Sequence, residues 1–104
     1  MISKAKRMFG ALTLVVAFSS GTSAFAYKGE ELAAQAKVKL EQARAIALNA
    51  RPGQIIDQEL EKEKGGSGLR YSFDIKNGKV TYEVGIDAAT GKVLENAKEG
   101  ANPD

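Results

Sequence analysis

The chain has 104 residues, with 15 Lys and Arg against 13 Asp and Glu, and it contains neither histidine nor cysteine. This length carries one domain at most. The missing residue types exclude disulfides, imidazole zinc sites and His-based acid–base catalysis.

The first 26 residues read as a secretory leader. Lys4, Lys6 and Arg7 form a positive n-region, Gly10 to Phe18 is an apolar run, Ser19 to Ser23 is small and polar, and Ala24-Phe25-Ala26 fits the cleavage pattern. The apolar run is shorter than the roughly 20 residues of a membrane span. No cysteine follows Ala26 to carry a lipid. Cleavage is therefore expected to give a periplasmic or secreted protein, Tyr27 to Asp104, without a stable membrane anchor. The leader removes three basic residues and no acid, so twelve bases face thirteen acids and the net charge becomes −1. That balance favours neither nucleic acid nor an anionic membrane as partner.

Residues 27–37 form an extension rich in helix formers: Glu30, Glu31, Leu32, Ala33, Ala34 and Ala36. Acids in the first turn suit the helix dipole, and a short helix is predicted over Glu30 to Ala36. The main helix is predicted over Leu40 to Ala50, where Leu40, Ala43, Ile46, Ala47 and Ala50 make one stripe. A stripe of alanines lets a helix approach a sheet closely, with the bulk supplied by sheet aromatics. Arg51-Pro52-Gly53 ends it. Lys39 stands where a capping Ser or Thr would be expected.

Gln54 to Lys64 reads as a strand with a skewed pattern. Ile56, Gln58 and Leu60 point inward, Asp57, Glu59, Glu61 and Glu63 point outward, and Ile55 breaks the alternation. The acids mark a wet edge strand, protected by charge from aggregation. Gly65-Gly66-Ser67-Gly68 reads as a flexible connection. Leu69 to Lys76 and Lys79 to Asp87 then alternate strictly about Asn77-Gly78, the pattern of a β-hairpin with a type I′ turn. That loop pairs Ile75 with Val80, Phe73 with Tyr82, Tyr71 with Val84 and Leu69 with Ile86. The apolar pairs would fall at non-hydrogen-bonded sites. Gly85, alone on the outward face, suggests a bulge or a close backbone approach. Asp87-Ala88-Ala89-Thr90-Gly91 is a turn, Lys92 to Glu95 a short last strand, and residues 97–104 a disordered polar tail.

The predicted class is α+β: one main helix on an antiparallel β-meander of three long strands and a short fourth, with a short N-terminal helix. The predicted core is Leu40, Ala43, Ile46, Ala47, Ile56, Leu60, Leu69, Tyr71, Phe73, Ile75, Val80, Tyr82, Val84, Ile86 and Leu94.

Little in this pattern marks a reaction. The outward acids could in principle hydrolyse glycosides or bind calcium, but bases are interleaved and no calcium-loop spacing appears. The glycine-rich loop lacks the Lys-Ser/Thr of a phosphate loop and opens a strand. Ser67, Ser72, Thr81 and Thr90 have no histidine to activate them. Tyr71, Phe73 and Tyr82 lie on the face the helix covers, which argues core, not base stacking. No catalytic, cofactor-binding or metal-binding residue is expected. A small hydrolase is the weakest reading of the chain.

One resemblance goes further. Leu40-Glu41-Gln42-Ala43, Pro52-Gly53, a Glu-rich strand, Tyr71-Ser72-Phe73-Asp74-Ile75, Tyr82-Glu83-Val84 and Ile86-Asp87-Ala88-Ala89-Thr90-Gly91-Lys92-Val93-Leu94-Glu95 together resemble the PepSY domain over 38–96. Lys39 departs from the Ser or Thr usual there. PepSY domains occur in pro-regions of thermolysin-type metalloproteases and in small exported bacterial proteins. The resemblance implies a non-catalytic binding module that restrains a peptidase, so a protein partner. The alternative is a soluble envelope sensing or maintenance domain without a protease partner. The residues offered as a partner-binding edge are Asp57, Glu59, Glu61 and Glu63.

Overall fold

Alternation of apolar and polar residues builds the sheet, and short connections make it a meander. The computed structural model describes residues 26–100. A 3-10 helix spans Glu30–Gln35 and helix α1 spans Leu40–Ala50. Strands β1 (Gln54–Lys62), β2 (Leu69–Asn77), β3 (Val80–Asp87) and β4 (Val93–Lys98) follow. Every neighbouring pair is antiparallel, in the order β1-β2-β3-β4. The fold is α+β, as the sequence predicts. The expected leader falls outside the described residues apart from its last residue, Ala26, and so do residues 101–104. The fourth strand is longer than expected: it reaches Lys98, and Glu99 N–H donates to Thr81 O (2.8 Å) just beyond it.

The hairpin forms in a register two residues away from the predicted one. Ile75 faces Tyr82, Phe73 faces Val84 and Tyr71 faces Ile86, with Asn77 opposite Val80. Gly78 (φ 67°) and Lys79 are therefore the two loop residues, and Asn77 closes the ladder. A shift of two keeps every side chain on its predicted face, because the strand period is two. It moves the apolar pairs to hydrogen-bonded positions, since the closing pair of a two-residue loop is hydrogen-bonded and the ladder alternates. The register is also held from outside the hairpin: Asn77 Nδ2 donates to Pro52 O (2.8 Å).

Strand β1 carries a bulge between Ile55 and Asp57. Ile55 faces Ile75 and Asp57 faces Asp74, so Ile56 is the extra residue. A bulge shifts the side-chain alternation by one. Ile55 therefore packs on the core and Ile56 is 52% exposed, which corrects the inward placement of Ile56.

The closed core is Ala43, Ala47, Leu60, Tyr71, Phe73, Ile75, Val84, Ile86 and Ala88. Ala88 was not expected there; it is the first residue of the turn after β3, and its backbone bonds to Leu69, Lys37 and Val38. Tyr82 and Val80, expected inside, are only half-buried. The Arg51 guanidinium lies 3.9 Å from the Tyr82 ring centroid and covers it. Leu94 leaves the main cluster because a second irregularity sits where β4 meets Gly85 and Ile86. It is half-buried beside Gly66.

Helix α1 starts without a side-chain cap at Lys39. A lysine offers no acceptor, so only one half of a capping box forms: Gln42 Oε1 accepts from Lys39 N–H (2.9 Å). At the other end Asn96 Nδ2 donates to Ala50 O (3.3 Å), and Arg51 Nε donates to Asn96 Oδ1 (3.0 Å). Ala43 and Ala47 are fully buried, which places the helix tightly on β2, β3 and β4. The 3-10 helix packs instead on β1. Tyr27, Leu32, Ala36 and Val38 close the part of the core that α1 leaves open. The extension predicted from sequence is thus a second cover for the sheet.

Candidate functional site

Two features of the sheet are available to a partner: its outer face, which no described helix covers, and its edges. The predicted edge residues separate into two groups. Asp57, Glu59 and Glu61 stand on the outer face of β1, while Glu63 lies just past the strand's end at Lys62. Glu61 Oε2 accepts from Ser72 Oγ on the next strand (2.7 Å). Glu59 pairs with Lys28 Nζ at 3.8 Å. Glu63 N–H donates to Gly68 O (3.0 Å), so its backbone closes the β1–β2 loop.

The same outer face continues across the sheet through Arg70, Ser72 and Asp74 on β2 to Glu95 on β4. Arg70 Nη1 lies 3.5 Å from Glu95 Oε1, and Nη2 donates to Lys64 O (3.1 Å). Gly85 is under this arginine: a Cβ there would stand 2.9 Å from Arg70 Cδ. The glycine is explained by the stem of Arg70 lying flat across β3, with the backbone irregularity immediately beside it. Asp74 has its pKa raised, first by burial and then by Glu99, Asp57 and Glu59. The carboxylates of this face thus repel one another. Among the described residues, no group of three or more Asp or Glu is arranged to hold a metal ion.

A groove of about 430 Å³ runs along the outer edge of β1. Tyr27, Lys28, Arg44, Ile56 and Gln58 are among the residues that line it, and Arg44 Nη1 donates to Gln58 Oε1 across it. At one end Lys28 forms a parallel bridge to Glu59, and Leu60 N–H donates to Lys28 O (2.9 Å). Edge status was legible in the acids of β1. The groove was not, because it depends on the bulge that turns Ile56 outward and on the return of residues 27–28.

The opposite end of the sheet is closed by Asp87. Its carboxylate accepts from Ser67 Oγ (2.5 Å), Ser67 N–H (3.0 Å) and Ala89 N–H (2.9 Å), and it is 3% exposed. The Ser67 hydroxyl bond, then the Ala89 N–H, hold its pKa below the ordinary carboxylate value. The glycine-rich loop, expected to be a flexible connection, is therefore pinned to the β3–β4 turn. Gly66 (φ 55°) is required for this, since a Cβ would stand 2.6 Å from Asp87 Oδ2.

The fold and this arrangement define a small module made of one sheet layer and one helical layer, with an edge and an outer face open. The model of the family described as "Peptidase propeptide and YPEB domain", PepSY, matches residues 37–96. The chain belongs to that family. No curated protein and no solved structure gives a significant match. No described helix is long and apolar enough to cross a membrane.

Proposed function

We propose that this protein is an exported, non-catalytic PepSY module that binds a peptidase and restrains it. The observation that carries the reading is the family match over 37–96, which takes in α1 and the sheet almost to its end. Its support from chemistry is that the whole sequence has no histidine and no cysteine. The serines among the described residues serve structural carboxylates: Ser67 bonds Asp87 and Ser72 bonds Glu61.

Restraint works here through added backbone pairing and charge. An edge strand has unpaired N–H and C=O groups that can extend a partner's sheet. The acids Asp57, Glu59, Glu61 and Glu63 favour a basic surface beside it, with an attraction that salt weakens. The test adds the purified protein to a panel of peptidases, thermolysin-type enzymes among them, and follows hydrolysis. Slower hydrolysis by at least one enzyme, relieved by the Glu59→Lys, Glu61→Lys double variant, is expected. Unaltered hydrolysis across the panel would favour an envelope sensing or maintenance role.

A further inference from the structure

The N-terminal arm is a part of this chain that the family match does not include, since the match begins at residue 37. It nevertheless pairs with the outer edge of β1. Lys28 bridges in parallel to Glu59, its carbonyl takes the Leu60 N–H at 2.9 Å, and its ammonium reaches the Glu59 carboxylate at 3.8 Å. Tyr27, the residue before it, packs on the core cluster. Gly29 makes the seating possible: its φ is 89°, and a Cβ would stand 1.7 Å from Leu60 O. No side chain larger than hydrogen fits between the arm and the backbone of β1.

We propose that the arm is a latch on the β1 edge, held in the place that an extended segment of a partner protein takes. The geometry of the latch specifies the occupant: a strand parallel to β1 that presents an aromatic residue followed by a basic one and then glycine. The aromatic side chain replaces Tyr27, the basic side chain meets Glu59, and the backbone takes the Leu60 N–H. The groove beside Ile56 and Gln58 extends this surface toward the start of β1, where no other described strand lies along the edge. The proposal deepens the peptidase-binding reading and rests on it for the identity of the partner, but not for the presence of the site.

A tethered arm competes at an effective concentration of about millimolar, so the closed latch weakens any incoming strand. Opening it tightens binding. Gly29→Val opens it sterically, and Lys28→Glu opens it by charge while leaving β1 untouched. The experiment uses the full chain and an acetylated peptide of residues 26–35 as probe, with amide exchange at Leu60 and fluorescence anisotropy as readouts. In Gly29→Val the Leu60 amide should exchange at least tenfold faster, and the peptide should bind at least tenfold more tightly than to the wild type. Lys28→Glu should shift both readouts in the same direction, and a probe with glutamate in place of its lysine should bind more weakly. An unchanged Leu60 amide in both variants overturns the proposal, as does equal peptide affinity for wild type and variants. A wild-type dimer that protects Leu60 in trans assigns the edge to a second copy and also overturns it. No peptidase enters this experiment, so its failure is distinct from failure of the peptidase reading.

Discussion

Asp87 shows how one carboxylate can hold two loops. Its lowered pKa means that the folded state favours the ionised form. The stabilisation is present above the pKa of the unfolded chain and is lost as pH falls through the lower folded value. Asp87→Asn should cost about 1–3 kcal/mol at pH 7, because buried donors lose a charged acceptor. Urea denaturation should show that difference shrinking toward pH 2. Asp74 has the opposite sign. Burial and neighbouring acids raise its pKa, so ionisation costs stability as pH rises above the unfolded value. Asp74→Asn should raise the melting temperature at pH 7 and leave it unchanged at pH 3. The Asx turn at Asp87 was legible from Asp87-Ala88-Ala89-Thr90-Gly91. The bond from Ser67 was not, because twenty residues of chain separate the partners.

At the scale of elements, the strand faces follow from alternation and the tests follow from the faces. Tyr71 and Phe73 are both buried on the inner face with ring centroids 6.3 Å apart, and Tyr71 Oη donates to Val38 O (2.7 Å). Tyr71→Ala should cost roughly 3–5 kcal/mol, a large part of the about 5–15 kcal/mol that holds such a domain together. Ser72→Ala removes one bond to Glu61 on the outer face and should cost about 0.5–1.5 kcal/mol. Chemical denaturation of the two variants decides the assignment; a larger loss for Ser72→Ala would reverse the faces. Parity survived the two-residue register shift because a shift by two exchanges no faces. The register itself was decided by contacts that a hairpin pattern does not contain, such as Asn77 to Pro52.

For the whole molecule, two covers share one sheet. Helix α1 spans β2, β3 and β4, and the arm from Tyr27 to Ala36 shields β1. If export removes the leader after Ala26, the released chain begins with Tyr27, a residue already packed on the core. The intact mass of the exported protein should correspond to 27–104. A mass that retains 1–26 would contradict the leader anatomy of Lys4 to Ala26.

Local chemistry sufficed for the class of fold, the helix from Leu40 to Ala50, the hairpin faces, the Asp87–Gly91 turn and the family resemblance. Each depends on residues close in sequence, where periodicity and turn preference act directly. Tertiary structure alone decided the bulge that turns Ile56 outward, the covering of Tyr82 by Arg51, the pinning of the glycine loop and the seating of Lys28 on β1. These depend on segments brought together only by folding. Their energies come from closing the core and satisfying buried polar groups, and neither requirement has a period that a sequence can display.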